Sequence, residues 1–396
     1  LACAFVSAFS RPTVAQPSIT DLGSLDGGSN VPLAYALSAD GSTVVGQVPG
    51  VPGRAFRWDE GVGLRLLDPF EGGGPQASAR GVSSDGSAVV GWSYSADGFR
   101  ACAWPASGGI QSLGVLGGGS SSFAECTTPD GVYVAGSSDS SEGRQAFRWS
   151  AATGMQGIGE LVGQPGAGAR AISADGMVVV GSSGARAFCW TPGGGMNDLG
   201  VLDGWLGSRA TATTESGEVV FGNCYMLGPG ARAFRWTQSR GMEDLGVPAG
   251  WQHSEVFGVS ADGRIAVGDC YGSSDEIAVV WTPELGMVDL NALLPTFGVD
   301  LTGWVLNAAT AISTDGRAIT GRGSHDGIEK GWVVRGLPSL GGCSADFNHD
   351  GFVNGDDYDA FAEAFDAGNQ EADLNRDGFV NGNDYDAFAD RFDAGC

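Results

Sequence analysis

From residue 18 to residue 336 apolar positions come in short runs that recur in a fixed order. One unit reads "AYALSADGSTVVG", two β-rich runs around an Asp-Gly, then "RAFRW", then a run of the "DLGSL" kind. Asp-Gly between such runs is a strong hairpin signal. It stands at Asp40, Asp85, Asp130, Asp175, Asp262 and Asp315, with Ser216-Gly217 in the fifth unit. Each phrase occurs seven times with a period of about 45 residues, so each unit predicts four short strands and almost no helix. Self-similarity at this period marks propellers, solenoids and arrays. The β-rich content predicts an all-β fold, a closed seven-bladed β-propeller, with an open β-solenoid as the alternative. The last unit lacks a clear "DLG" strand, whereas the chain opens with one in "ITDLGSL", so that first strand is expected to complete the final blade.

Past residue 336 the pattern changes. Tyr358, Phe361 and Phe365 recur at helical spacing, as do Tyr385, Phe388 and Phe392, with Gly368 and Gly395 where a helix would end. An acidic loop precedes each stripe. Asp346, Asn348, Asp350, Phe352 (through its carbonyl), Asn354 and Asp357 stand at positions 1, 3, 5, 7, 9 and 12 of a twelve-residue frame, with Gly351 at 6. Asp373, Asn375, Asp377, Phe379, Asn381 and Asp384 repeat that frame, with Gly378. This is the oxygen-ligand spacing of an EF-hand-type calcium loop, although each ends in Asp rather than Glu. From Cys343 onward 14 acids face two arginines, a balance of −12. Two Ca²⁺ ions would offset that repulsion and couple binding to folding. A disordered acidic tail is the alternative.

A doubled loop–helix calcium motif resembles the dockerin module, and Cys343 with the closing "AGC" resembles its GC-type form. The resemblance covers roughly residues 343–396. It implies a cohesin-like receptor as partner, two possible binding orientations, and module ends that meet, which would join Cys343 to Cys396 as a disulfide. Where dockerins commonly carry Ser-Thr at loop positions 10 and 11, this chain has Gly355-Asp356 and Gly382-Asn383. The ring's phrases resemble the HAF family of bacterial extracellular repeats. That resemblance implies export and a repeated β fold, and brings no established activity or catalytic residues.

The organisation expected is a signal-peptide remnant at 1–15, a propeller at 16–336, a linker at 337–342 and the calcium module at 343–396. "LACAFVSAFSRPTVAQP" reads as the apolar core of a secretory signal with cleavage after Ala15, and a lipoprotein site is the weaker alternative. The expected location is therefore extracellular or at the cell surface. A net charge of −25 argues against nucleic acid as a partner. No stretch is apolar and long enough for a transmembrane helix. The only lysine is Lys330, so a P-loop is absent, as are H-E-x-x-H, C-x-x-C and G-x-S-x-G. Cys102, Cys126, Cys189, Cys224 and Cys270 are an odd number whose pairing the sequence leaves open. The propeller is expected to be monomeric.

Where the repeat stays constant, residues read as scaffold: the tryptophans of "AFRW" as packing between blades, the turn aspartates as hairpin formers. Where it varies, ligand binding is expected. The position five before the turn Asp reads Tyr35, Arg80, Glu125, Arg170, Thr211, Phe257 and Thr310, a column expected on one face or near a central channel. Trp205, Trp251 and Trp304, in the first connections of units five to seven, suit stacking on sugar rings or packing under loops. Glu125, Glu142, Glu160, Glu255 and Asp269 are acids outside the repeat, and nothing in the sequence pairs them into a catalytic set. The expected function is an exported, non-enzymatic ring for binding or display on a calcium-dependent tag, with a possible glycan ligand. The alternative is a carbohydrate-active enzyme, a polysaccharide hydrolase or lyase carried on a dockerin.

Overall fold

The computed structural model describes residues 16–394 apart from 26–29, 51, 227, 229, 274, 339, 341–344, 346, 348–352, 370–371, 373 and 375–378. Its strands form seven four-stranded antiparallel sheets, the blades of a β-propeller. Blade 1 runs through Leu33–Leu37, Thr43–Val48, Arg54–Asp59 and Gly63–Leu66. Blades 2 to 6 repeat this meander, with innermost strands Ala77–Val82, Ser122–Thr127, Ala167–Ile172, Gly207–Thr213 and His253–Val259. Blade 7 takes three strands, Trp304–Ile312, Ile319–His325 and Ile328–Arg335, from the end of the ring. Its fourth is β1 (Ser18–Asp21), which pairs antiparallel from Ser18↔Arg335 to Asp21↔Trp332. The two ends of the ring thus share one sheet. Lys330 Nζ meets Asp21 Oδ2 at 2.8 Å, and Leu22, 1% exposed, is buried beside this seam.

The hairpins explain the Asp-Gly column. Ser38 Oγ donates to Asp40 Oδ1 at 2.7 Å, Asp40 Oδ1 accepts the Ser42 amide at 2.9 Å, and Ser38 Oγ accepts the Thr43 amide at 3.0 Å. The same hydroxyl–carboxylate contact recurs at Ser83–Asp85, Thr128–Asp130, Ser173–Asp175, Ser260–Asp262 and Ser313–Asp315. These bonds favour the charged carboxylate. Asp85 is held down at about 2 by Ser83 and Ser87, and Asp130 and Asp175 are lowered by Thr128 and Ser173. Gly41 and its counterparts take positive φ, 67° to 75° across the blades, which is why glycine closes the turn.

The glycine of "VVG" has a different cause. Every innermost strand carries a β-bulge, for example between Ala34 and Ala36. The bulge brings a carbonyl of that strand against the second strand. A Cβ on Gly136 would lie 2.0 Å from Phe123 O, and Gly46, Gly91, Gly181, Gly222, Gly268 and Gly321 face the same conflict.

Between blades the phenylalanines of "AFRW" are fully buried at Phe56, Phe147, Phe188 and Phe234. The tryptophans Trp58, Trp104, Trp149, Trp190, Trp236 and Trp281 join the cores formed where one blade meets the next. Buried serines supply polar links across these seams. Ser208 Oγ accepts the Ala187 amide at 3.0 Å and donates to Gly200 O at 2.5 Å, and Ser254 does the same with Ala233 and Gly246. One element departs from the all-strand expectation. A short helix, α1 (Leu290–Leu293), and a 3-10 turn at Leu294–Phe297 seal the core between blades 6 and 7 with Leu290, Leu294 and Val299.

In the C-terminal segment α2 (Gly355–Asp366) and α3 (Gly382–Ala394) pack through Phe361 and Phe388, whose rings stack at 4.1 Å and 4°. No helix among the described residues is long and apolar enough to cross a membrane.

Candidate functional site

The seven bulges determine what faces the axis. In every blade the register slips at the same column, at Tyr35, Arg80, Glu125, Arg170, Thr211, Phe257 and Thr310, and blade 7 slips a second time at Asn307. A bulge leaves its extra residue unpaired and turns it out of the ladder. All seven line one chamber of about 540 Å³ on the ring's axis. The chamber shares Val82, Thr127, Thr213, Val259 and Ile312 with a second cavity of about 160 Å³ at the turn end, where Glu215 sits. That end is girdled by backbone bonds from blade to blade. Ala39 donates to Ser84 O, Ser84 to Pro129 O, Ala174 to Glu215 O, Glu215 to Ala261 O and Ala261 to Thr314 O, at 2.8 to 3.1 Å. Pro129 has no N–H to extend the series to blade 4.

The chamber is charged in an organised way. Glu125 Oε2 lies 3.3 Å from Arg170 Nη1 and 4.0 Å from Arg80 Nε. The Arg80 guanidinium also sits 4.2 Å over the Tyr35 ring, a cation–π contact. On the far wall Arg209 Nη2 donates to both Glu255 oxygens at 3.1 Å, and Arg322 pairs with Glu276. Between these pairs stands Asp269, 5% exposed, lining the chamber with Arg209 and Arg322. Burial, a hydrogen bond shared with Glu276, and the charges of Glu255 and Glu276 push its carboxyl up to about 9. Burial also raises Glu255, against the pull of Arg209. Burial raises the neighbouring Tyr271 hydroxyl to about 12, with Glu255 and Asp269 adding to it.

Of the acids outside the repeat, the fold brings Glu255 and Asp269 directly opposite each other as a cross-strand pair. Glu276, Arg209 and Arg322 complete the group, and sequence reasoning missed these three. A signal for Arg322 and Asp269 was present. The residue after the "VVG" glycine reads Gln47, Trp92, Ser137, Ser182, Asn223, Asp269 and Arg322, a second varied column.

The three loop tryptophans are not brought together and do not line the chamber. Trp205, Trp251 and Trp304 are half-buried against three different inter-blade cores, and Trp304 stacks on His325 at 4.6 Å and 9°. Cys102, Cys126, Cys189, Cys224 and Cys270 are all unpaired thiols. Cys126 reaches the chamber wall, and burial pushes it to about 12, far from a reactive thiolate.

In the C-terminal loops Asp346, Asn348, Asp350, Phe352, Asp373, Asn375, Asp377, Cys343 and Cys396 lie outside the described residues. The described positions are equivalent in the two halves. Asn354 N–H donates to Asp357 Oδ2 at 2.8 Å, and Asn381 N–H to Asp384 Oδ2 at 2.9 Å. Each asparagine in turn caps its helix, through the Asp356 and Asn383 amides at 2.9 Å. Asp357 and Asp384 are both 0% exposed. Phe379 is 73% exposed, which suits a residue expected to offer only its carbonyl.

No family model matches the chain, and no curated protein matches it in sequence. Solved structures do resemble it. An oligogalacturonate lyase in complex with manganese aligns at 15% identity and a TM-score of 0.54, covering 82% of this chain and 94% of that one. An oligogalacturonate lyase from Vibrio parahaemolyticus aligns at 12% identity and a TM-score of 0.56, covering 80% and 93%. TolB from Acinetobacter baumannii gives a TM-score of 0.43 at 12% identity, and this chain spans 63% of its length. At these identities the likeness is one of fold, and the fold is that of a seven-bladed β-propeller.

Proposed function

We propose that the ring is an exported binding module that takes a small polar ligand into its axial chamber. Its C-terminal segment would be a dockerin-like tag that folds on two Ca²⁺ ions and engages a cohesin-like receptor. One observation carries the binding reading. The scaffold residues repeat from blade to blade, whereas the seven residues the bulges turn toward the axis differ in charge and size and meet in one chamber. A framework held constant around a varied lining is what a recognition site requires.

For the tag, the described donors are oxygens only, and the buried carboxylates of Asp357 and Asp384 start both helices in the same geometry. This fits a hard divalent cation, held by Asp346, Asn348, Asp350, Phe352 O, Asn354 and Asp357 in one loop and by their equivalents in the other. Calcium there would supply charge neutralisation, and the chain's own caps and the Phe361–Phe388 stack would supply the packing. Export rests on the apolar start, which precedes the described residues.

A glycan-acting enzyme is the second reading, favoured by the convergence of Glu255, Asp269 and Glu276, one of them held protonated at neutral pH. A glycan array and a polysaccharide panel on the purified chain test both. Binding weakened by Phe257→Ala or Arg80→Ala without turnover supports the binding module. Turnover lost in Glu255→Gln and Asp269→Asn supports the enzyme. Binding that no chamber variant alters removes the chamber from either account. Capture of the chain by an immobilised cohesin, reversed by chelator, tests the tag, and capture that persists in chelator refutes it.

A further inference from the structure

We propose that the chamber wall built by blades 5, 6 and 7 is a subsite for a sugar carboxylate, a hexuronic acid or a chain end carrying one. Arg209 and Arg322 would hold the carboxylate on either side of Asp269. The inference rests on the chamber being the binding site, and it names the ligand class.

Position comes first. Arg209 belongs to the innermost strand of blade 5, and Asp269 and Arg322 to the second strands of blades 6 and 7, so three adjacent blades place them on one side of the axis. Asp269 is buried between the two arginine pairs and shares a hydrogen bond with Glu276.

The charge balance selects the sign. Arg80, Arg170, Arg209 and Arg322 face Glu125, Glu255 and the hydrogen-bonded pair of Asp269 and Glu276, which shares one proton. That leaves one positive charge in excess, inside a chain whose net charge is −25. A monoanion balances it, whereas a phosphate dianion does not. Guanidinium groups match the planar carboxylate in shape and charge.

The rest of the lining suits a sugar. Thr211 and Thr310 donate to Val256 O and Thr320 O at 2.7 and 3.2 Å and keep lone pairs free to accept from hydroxyls. Tyr35 and Phe257 add aromatic faces to the same lining, against which the C–H face of a sugar ring can pack.

Calorimetric titration of the full chain in calcium decides the matter, with D-glucuronate and D-galacturonate as probes. D-glucose, D-galactose and D-glucose 6-phosphate are the comparators. A uronate should bind at least roughly tenfold more tightly than its neutral parent and than the phosphate ester. Arg209→Gln and Arg322→Gln should each weaken uronate binding by about tenfold or more. Asp269→Asn, which adds no charge to the wall, should stay within about threefold. Circular dichroism and thermal unfolding confirm that each variant is folded. Equal affinity for uronate and neutral parent overturns the inference, as do unchanged affinities in the two arginine variants. If a neutral glycan binds and Phe257→Ala abolishes it, the carboxylate subsite falls and the chamber reading stands. If no compound binds, or no chamber variant matters, both fall.

Discussion

Asp269 makes a measurable demand on the fold. Its neighbours are Glu255 across the strand, Glu276 on the third strand of blade 6, Arg322 from blade 7 and the Tyr271 hydroxyl. Two glutamates and burial outweigh one arginine, so the folded carboxyl titrates at about 9 instead of 3.8. Between those values the folded chain holds a proton that the unfolded chain has released. The unfolding free energy therefore falls as pH rises, by about 1.4 kcal/mol per pH unit for one proton. The contribution is fully present below the unfolded value and is lost progressively up to the folded one. Asp269→Asn cannot take up that proton and lacks this slope. Urea unfolding of both proteins at pH 5, 6, 7 and 8 should show the variant gaining on the wild type by about 1.4 kcal/mol per unit, about 4 kcal/mol across the range. Parallel stability curves would show that Asp269 is ionised at neutral pH. The excess positive charge in the chamber, and the carboxylate subsite with it, would then be refuted.

Three further outcomes are expected. Gly136→Ala places a Cβ 2.0 Å from Phe123 O and should lower stability in urea by roughly 1–3 kcal/mol, the usual cost of overpacking, while Ala135→Gly leaves that carbonyl untouched. Removing residues 16–22 deletes β1 and buried Leu22, leaves the outer edge of blade 7 open, and should cost roughly 3–6 kcal/mol with aggregation on heating. In the native chain the five ring cysteines should resist a thiol reagent at pH 8 and react once urea unfolds the ring, because burial raises Cys102, Cys126, Cys189, Cys224 and Cys270.

Much of the architecture was legible because it rests on local chemistry repeated seven times. The Asp-Gly turns are built from bonds within five residues of one another, so their sequence signature is complete. The closing strand could be read from a missing phrase at one end and a surplus phrase at the other, and β1 on blade 7 meets that expectation. The helix at Leu290 was not legible, because its four residues carry no periodicity and owe their conformation to the core they fill.

The sequence by itself determined seven hairpin-rich units, a ring's worth of strands, and a varied residue once per unit. Only the tertiary structure decided which acids meet. Counting outward from the turn, Val259 pairs with Ala266 and Gly258 with Val267, so uninterrupted pairing would set Glu255 opposite Cys270. The bulge at Phe257 slips the register by one residue and sets Glu255 opposite Asp269 instead. Arg209, Glu276 and Arg322 then arrive from strands as many as 113 residues apart, brought to the axis by closure of the ring. A one-residue slip reverses the faces of a strand, and no local pattern announces it.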